Sequence, residues 1–181
     1  MRPLTSSPRD DGEAVGEAGR MFETADEVAS LELLLDGSFA GAGEHLSGII
    51  SPQRRLSARD LCRYLVGVRH FTVATTTARG EPRCSAVDGL FLHGRFWFST
   101  GAHAFKAVHF AQRPHVSASA AHVVGDDVGV FVHGTARLVP GGPGGADTLR
   151  PYWRAVYGGS PDDWVLAPTD ARYLEIVATE E

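Results

Sequence analysis

Lysine is almost missing from this chain: sixteen arginines stand beside a single lysine, Lys106, so guanidinium groups carry positive charge nearly everywhere. Cysteine is equally scarce. Cys62 and Cys84 form no Cys-x-x-Cys pair and no zinc pattern, which predicts a reduced, cytoplasmic chain. No apolar run approaches the roughly 18 residues of a membrane span. The start, Met1-Arg2-Pro3-Leu4-Thr5-Ser6, lacks the core of a signal peptide, so neither secretion nor a membrane partner is expected. A basic excess is lacking too. The formal net charge is -5, and residues 1–27 carry seven carboxylates against three arginines, which leaves the remainder nearly neutral. Nucleic acid needs a basic face to neutralise its phosphates, so it is not expected as a partner. Neither a G-x-G-x-x-G nor a G-x-x-x-x-G-K loop occurs, and strictly alternating strand–helix units are absent, which disfavours a dinucleotide-binding Rossmann domain.

What is present fits one well-buried core with an appendage, since 181 residues exceed one typical domain only slightly. Residues 1–20 are rich in Pro, Ser, Gly, Asp and Glu and read as a disordered acidic tail. Residues 21–69 read as a helical extension. Thr24-Ala25-Asp26-Glu27 has capping-box spacing ahead of Val28, Leu31, Leu34 and Leu35, which predicts a helix to about Asp36 with Gly37 as its stop. Ser57-Ala58-Arg59-Asp60 opens a second helix carrying Leu61, Tyr64, Leu65 and Val68.

From residue 70 to 181 the pattern changes to short, turn-bounded strands. These are predicted at Phe71–Thr77, Arg83–Asp88, Arg95–Thr100, Val116–Ala121, Val128–Val139 and Tyr173–Val177. His93-Gly94 and Gly125-Asp126-Asp127 supply turns, Ala104–Gln112 a short helix, and Thr148–Tyr157 another. Six strands with one helix inserted after the third predict a mainly β fold, a small antiparallel barrel.

The stretch Ser99-Thr100-Gly101-Ala102-His103-Ala104-Phe105-Lys106 draws the chemical argument. A strand end delivers two hydroxyls, a loop follows, and a lysine sits in the first turn of a helix whose N–H groups are unpaired, which together would seat an anion such as phosphate. Eight histidines raise a metal or haem site, but His103/His109 and His115/His122 lack the four-residue spacing of a helical zinc pair, and no metal is expected. Cys84 reads as a packed strand residue, and no serine–histidine–acid spacing supports hydrolysis.

From Phe71 to Val139 the chain resembles the split-barrel flavin-binding proteins related to pyridoxamine 5′-phosphate oxidase, including their deazaflavin-dependent members. Thr72-Val73-Ala74-Thr75, Gly80-Glu81-Pro82, Phe96-Trp97-Phe98-Ser99-Thr100, Lys106-Ala107-Val108, Arg113-Pro114-His115-Val116 and His133-Gly134-Thr135-Ala136 carry it, in order and spacing. The resemblance implies a six-stranded split barrel, a homodimer, and FMN in a groove between subunits, with deazaflavin and haem as alternatives. It assigns Ser99, Thr100 and Phe105 to the cofactor, Lys106 to its phosphate, and Arg83, Ser85, Ala86 and Val87 to the strand along the ring and ribityl chain. No catalytic side chain follows, because the flavin carries the redox chemistry. The implied function is hydride exchange with a small substrate; the alternative is a protein that holds flavin or haem without turnover. Two departures stand out. Ala104-Phe105 replaces the polar pair usual before the lysine, and Tyr173-Leu174-Glu175-Ile176-Val177 lacks the substrate-binding arginine and tryptophan of the true oxidases, which disfavours pyridoxamine phosphate as substrate.

Because residues 1–20 carry little to bury, deleting them is expected to leave the melting temperature unchanged within about 1 °C in a thermal scan. A fall of several degrees would show that the acidic segment docks on the body.

Overall fold

The protein's structure is a computed structural model that describes residues 21–49, 51, 55–121, 128–142, 144, 146–162 and 164–178. The acidic tail and the turn expected at Gly125-Asp126-Asp127 lie outside these residues. Helix α1 (Ala25–Ala40) begins at the expected capping box: the Glu27 N–H donates to Thr24 Oγ1, and the Thr24 N–H donates to the Glu27 carboxylate. It runs through Gly37 rather than stopping there. A mid-helix glycine costs about 1 kcal/mol, but the next residue, buried Ser38, makes two hydrogen bonds that hold the turn. Its Oγ donates to Leu34 O at 2.7 Å and accepts the N–H of Leu174 at 3.0 Å. After a short helix α2 (Glu44–Ile49), helix α3 (Ala58–Tyr64) starts at Ser57 as expected and ends before Gly67, whose φ of 88° no helix accommodates.

The sheet follows: β1 (Arg69–Thr76), β2 (Pro82–Leu92), β3 (Arg95–Gly101), helix α4 (Phe105–Gln112), β4 (His115–Ala121), β5 (Val128–Ala136), the two-residue β6 (Val139–Pro140), helix α5 (Arg150–Tyr157) and β7 (Trp164–Ala178). β2 and β3 join through His93 and Gly94 at φ 53° and 69°, the left-handed pair of a two-residue hairpin turn. All pairings are antiparallel, in the order β3-β2-β1-β4-β5-β7, and β7 returns to β3, so six strands close into a barrel with β6 as an extra strand on β7. The long β7 pairs β3 through Trp164–Thr169 and β5 through Thr169–Ala178. Sequence patterning locates only its end, because Pro168 and Asp170 are residue types that strands disfavour. Pro168 is accommodated where β7 passes from one partner to the other, and its carbonyl accepts the Arg137 N–H at 3.2 Å.

The barrel interior holds Phe71, Phe96 and Phe98, with Phe71 set edge-on to the other two at 5.8 and 5.4 Å between ring centroids. Leu31 and Leu35 of α1 and Leu61 and Cys62 of α3 join the same cluster, so the helices complete this core. A second cluster lies outside β3, where Trp97, Leu90 and Leu166 pack under Tyr152 and Trp153 of α5. Strand β3 is therefore buried on both faces, and its alternation of Phe with Trp separates two cores rather than core from solvent.

A side chain at Gly89, opposite Phe98 on β3, would meet the Phe71 ring at 2.5 Å. Gly89→Ala is expected to cost about 1–3 kcal/mol, measured as a lower urea midpoint with an unchanged slope.

Candidate functional site

Strand β3 and helix α4 set the site between them. The pleat points Ser99 outward with Trp97, while Thr100 turns inward with Phe98 and is 3% exposed. Ser99 Oγ donates to Asp88 O on β2 at 3.4 Å. The turn Gly101–Ala104 closes with the Ala104 N–H on Gly101 O at 3.0 Å, and α4 starts from Ala104, which has no side chain to cap it. Lys106, in the first turn of α4, reaches back across β2, its Nζ donating to Ala86 O at 3.1 Å. Backbone carbonyl contact and partial burial hold the ammonium in one place.

Lys106 stands on a divide. On one side a groove of about 380 Å3 runs past Ala86, Val87, Ser99 and Thr100 to Trp164. On the other a depression of about 350 Å3 is lined by Arg83, Cys84, Ser85, Phe105 and His109. The eight residues that the resemblance assigns to one cofactor site are thus divided between two adjoining hollows, with only Lys106 on both. Among the described residues, the depression has Arg83 and Lys106 and no carboxylate in its lining, a donor set suited to an anion. The groove is more mixed: Asp88 lies in it, paired with His70 at 2.9 Å. Burial and the Asp88 charge push the phenol of neighbouring Tyr157 up to about 12. Trp164, opposite Gly101 in the β3–β7 pairing, is 43% exposed at the groove's far end and leans on Trp153 at 6.2 Å.

One expectation changes here. Cys84 is exposed in the depression, and the packed cysteine is Cys62, whose thiol burial pushes up to about 12. Phe105 is 86% exposed at the start of α4. Sequence reasoning missed Trp164, which lies in the unrecognised half of β7. It also missed His109, considered only as a metal ligand although it follows Lys106 by three residues, the spacing that brings helical side chains together. Thr75, whose hydroxyl meets His109 Nδ1 at 2.8 Å, carried no sequence signal at all. Among the described residues, no group of three or more His, Cys, Asp or Glu could hold a metal, and no helix is long and apolar enough to cross a membrane.

No family sequence model matches the chain, and no curated protein is similar to it in sequence. Solved structures are similar in fold. A conserved hypothetical protein of Mycobacterium tuberculosis superposes with a TM-score of 0.57 at 20% identity, over 71% of this chain and 88% of the other. General stress protein 26 of Bacillus anthracis gives 0.51 at 14% identity over 62% and 87%. A candidate pyridoxamine 5′-phosphate oxidase of Listeria innocua gives 0.50 at 13% identity over 61% and 90%. The chain therefore shares with these structures the fold of a closed antiparallel split barrel.

Proposed function

We propose that the protein is a flavin-dependent oxidoreductase that binds FMN by its phosphate in the Arg83–Lys106 depression and lays the ring and ribityl chain along β2 toward Trp164. The observation that carries this reading is the position of Lys106, which touches a cationic hollow on one side and a strand-walled groove on the other. The residues present fit the group. Arg83 and Lys106 answer a dianion, Ser85 adds a hydroxyl, the walls at Ala86 and Val87 are apolar enough for a ring, and Trp164 offers an aromatic face. When bound, the flavin supplies hydride transfer with a small substrate. The chain's own part is to hold the phosphate, orient the ring and leave one ring face open.

A second copy of the chain completes the site in this reading. Phe105 at 86% and Val108 at 44% exposure form an apolar face on α4 beside the depression, the surface this reading gives to a second copy. A two-fold homodimer covers it and lends each groove a second wall. Light scattering at micromolar concentration is expected to give twice the mass of the chain; a monomer counts directly against this part.

The decisive test is titration with FMN, followed by quenching of flavin fluorescence, with the spectrum of the purified protein to separate FMN from deazaflavin and haem. Lys106→Ala removes a charge-assisted hydrogen bond worth roughly 1.5–3 kcal/mol, so FMN affinity is expected to fall about tenfold to a hundredfold while the melting temperature hardly moves. Lys106→Arg should keep part of the affinity, since the charge survives in a flatter group. Equal affinity of wild type and Lys106→Ala overturns the placement. Oxidation of a reduced nicotinamide by the loaded protein in the presence of an acceptor tests turnover separately.

A further inference from the structure

The cationic depression contains an imidazole that the flavin reading leaves idle. We propose that His109 is a third ligand of the cofactor's phosphate and that it enters the complex by taking up a proton, which makes phosphate binding tighten as pH falls. The proposal rests on the placement of that phosphate between Arg83 and Lys106.

Hydrogen-bond accounting favours one tautomer. Thr75 is 2% exposed, and its hydroxyl meets two partners: Arg83 O at 3.5 Å and His109 Nδ1 at 2.8 Å. A carbonyl can only accept, so one arrangement satisfies both contacts: the hydroxyl proton goes to Arg83 O, and the hydroxyl oxygen accepts Nδ1–H. The remaining ring nitrogen of His109, Nε2, then carries a lone pair. His109 lines the depression with Lys106, one turn earlier on α4, and Arg83 on β2. A phosphate offers oxygen acceptors, which a lone pair repels. The contact becomes attractive only when Nε2 gains a proton from solvent and donates it in a hydrogen bond to a phosphate oxygen, the ring now carrying both N–H groups.

The surroundings set the sign of the coupling. Arg83 and Cys84 from β2, Lys106 from α4 and Thr77 line the hollow with His109, and the Thr75 hydroxyl meets its ring. Beyond them Arg113, at the end of α4, donates to Thr76 O at 2.5 Å. Among the described residues, no carboxylate lines the hollow. A bound dianion favours an imidazolium beside it, so the proton arrives with the ligand.

The experiment compares FMN with riboflavin, which has the same ring and chain and no phosphate. Calorimetry of the wild-type protein at pH 7.5, in buffers of differing ionisation heat, is expected to show uptake of about one proton with FMN and none with riboflavin. FMN affinity of wild type relative to His109→Gln is expected to fall about tenfold between pH 6 and 7.5. Taking this ratio cancels the titration of the FMN phosphate itself, whose second pKa near 6 acts with the opposite sign. No proton uptake with FMN, or parallel pH profiles for wild type and variant, overturns the role of His109 while leaving the flavin site standing. An FMN affinity insensitive to Lys106→Ala overturns the site itself, and the role of His109 with it.

Discussion

Closure of the barrel rests on one set of backbone hydrogen bonds, those between Phe96–Gly101 of β3 and Trp164–Thr169 of β7. Without them β3 would present an open row of N–H and C=O groups, and the sheet would be a curled six-stranded ribbon with two free edges. The same pairing places the site. Ser99, Thr100 and Gly101 stand opposite Leu166, Val165 and Trp164, so the strand end that carries the hydroxyls and the strand that carries the exposed tryptophan are locked in register. Where β7 leaves β3 it gains β5 as partner, and Ser38 of α1 accepts the Leu174 N–H there. A serine inside a helix thus answers part of the edge that gives a split barrel its opening.

Two cores divide the labour around this closure. The interior cluster of Phe71, Phe96 and Phe98 is sealed by α1 and α3, while Trp97 and Leu166 on the outside of the wall are sealed by α5. Strand β3 can be buried on both faces only because a helix arrives to cover the outer one. The site lies at the end of this doubly buried strand, where Ser99 and Thr100 lead into the first turn of α4.

Much of this was legible in the residues. The capping box at Thr24, the N-cap serine at Ser57, the His93-Gly94 turn and the period-two strands follow from local rules, and they yielded the strand count and the inserted helix. Local rules failed where tertiary contacts outweigh them. Gly37 does not stop α1 because Ser38 finds a partner 136 residues away in sequence. Pro168 does not end β7 because it sits at the exchange of partners. At the site, the lysine and the strand-end hydroxyls were legible because chemistry and spacing coincide there. The division into two hollows was not, since it depends on Lys106 bending back to the Ala86 carbonyl, which no spacing encodes. Thr75 and His109 lie 34 residues apart and meet only because α4 folds back against β1.

The scarcity of lysine has a consequence for how the groove can be addressed. Apart from the terminal amine, Lys106 Nζ is the only aliphatic amine in the chain. An acylating reagent, or an acetyl group added enzymatically, therefore acts on one side chain. It removes the cation and its fixed bond to Ala86 together, and it leaves all sixteen arginines charged. In most proteins such chemistry blurs over many surface lysines. Here the yield of modified Lys106 is a direct measure of how open the divide between the two hollows is, and anything that fills either hollow would protect a single, countable position.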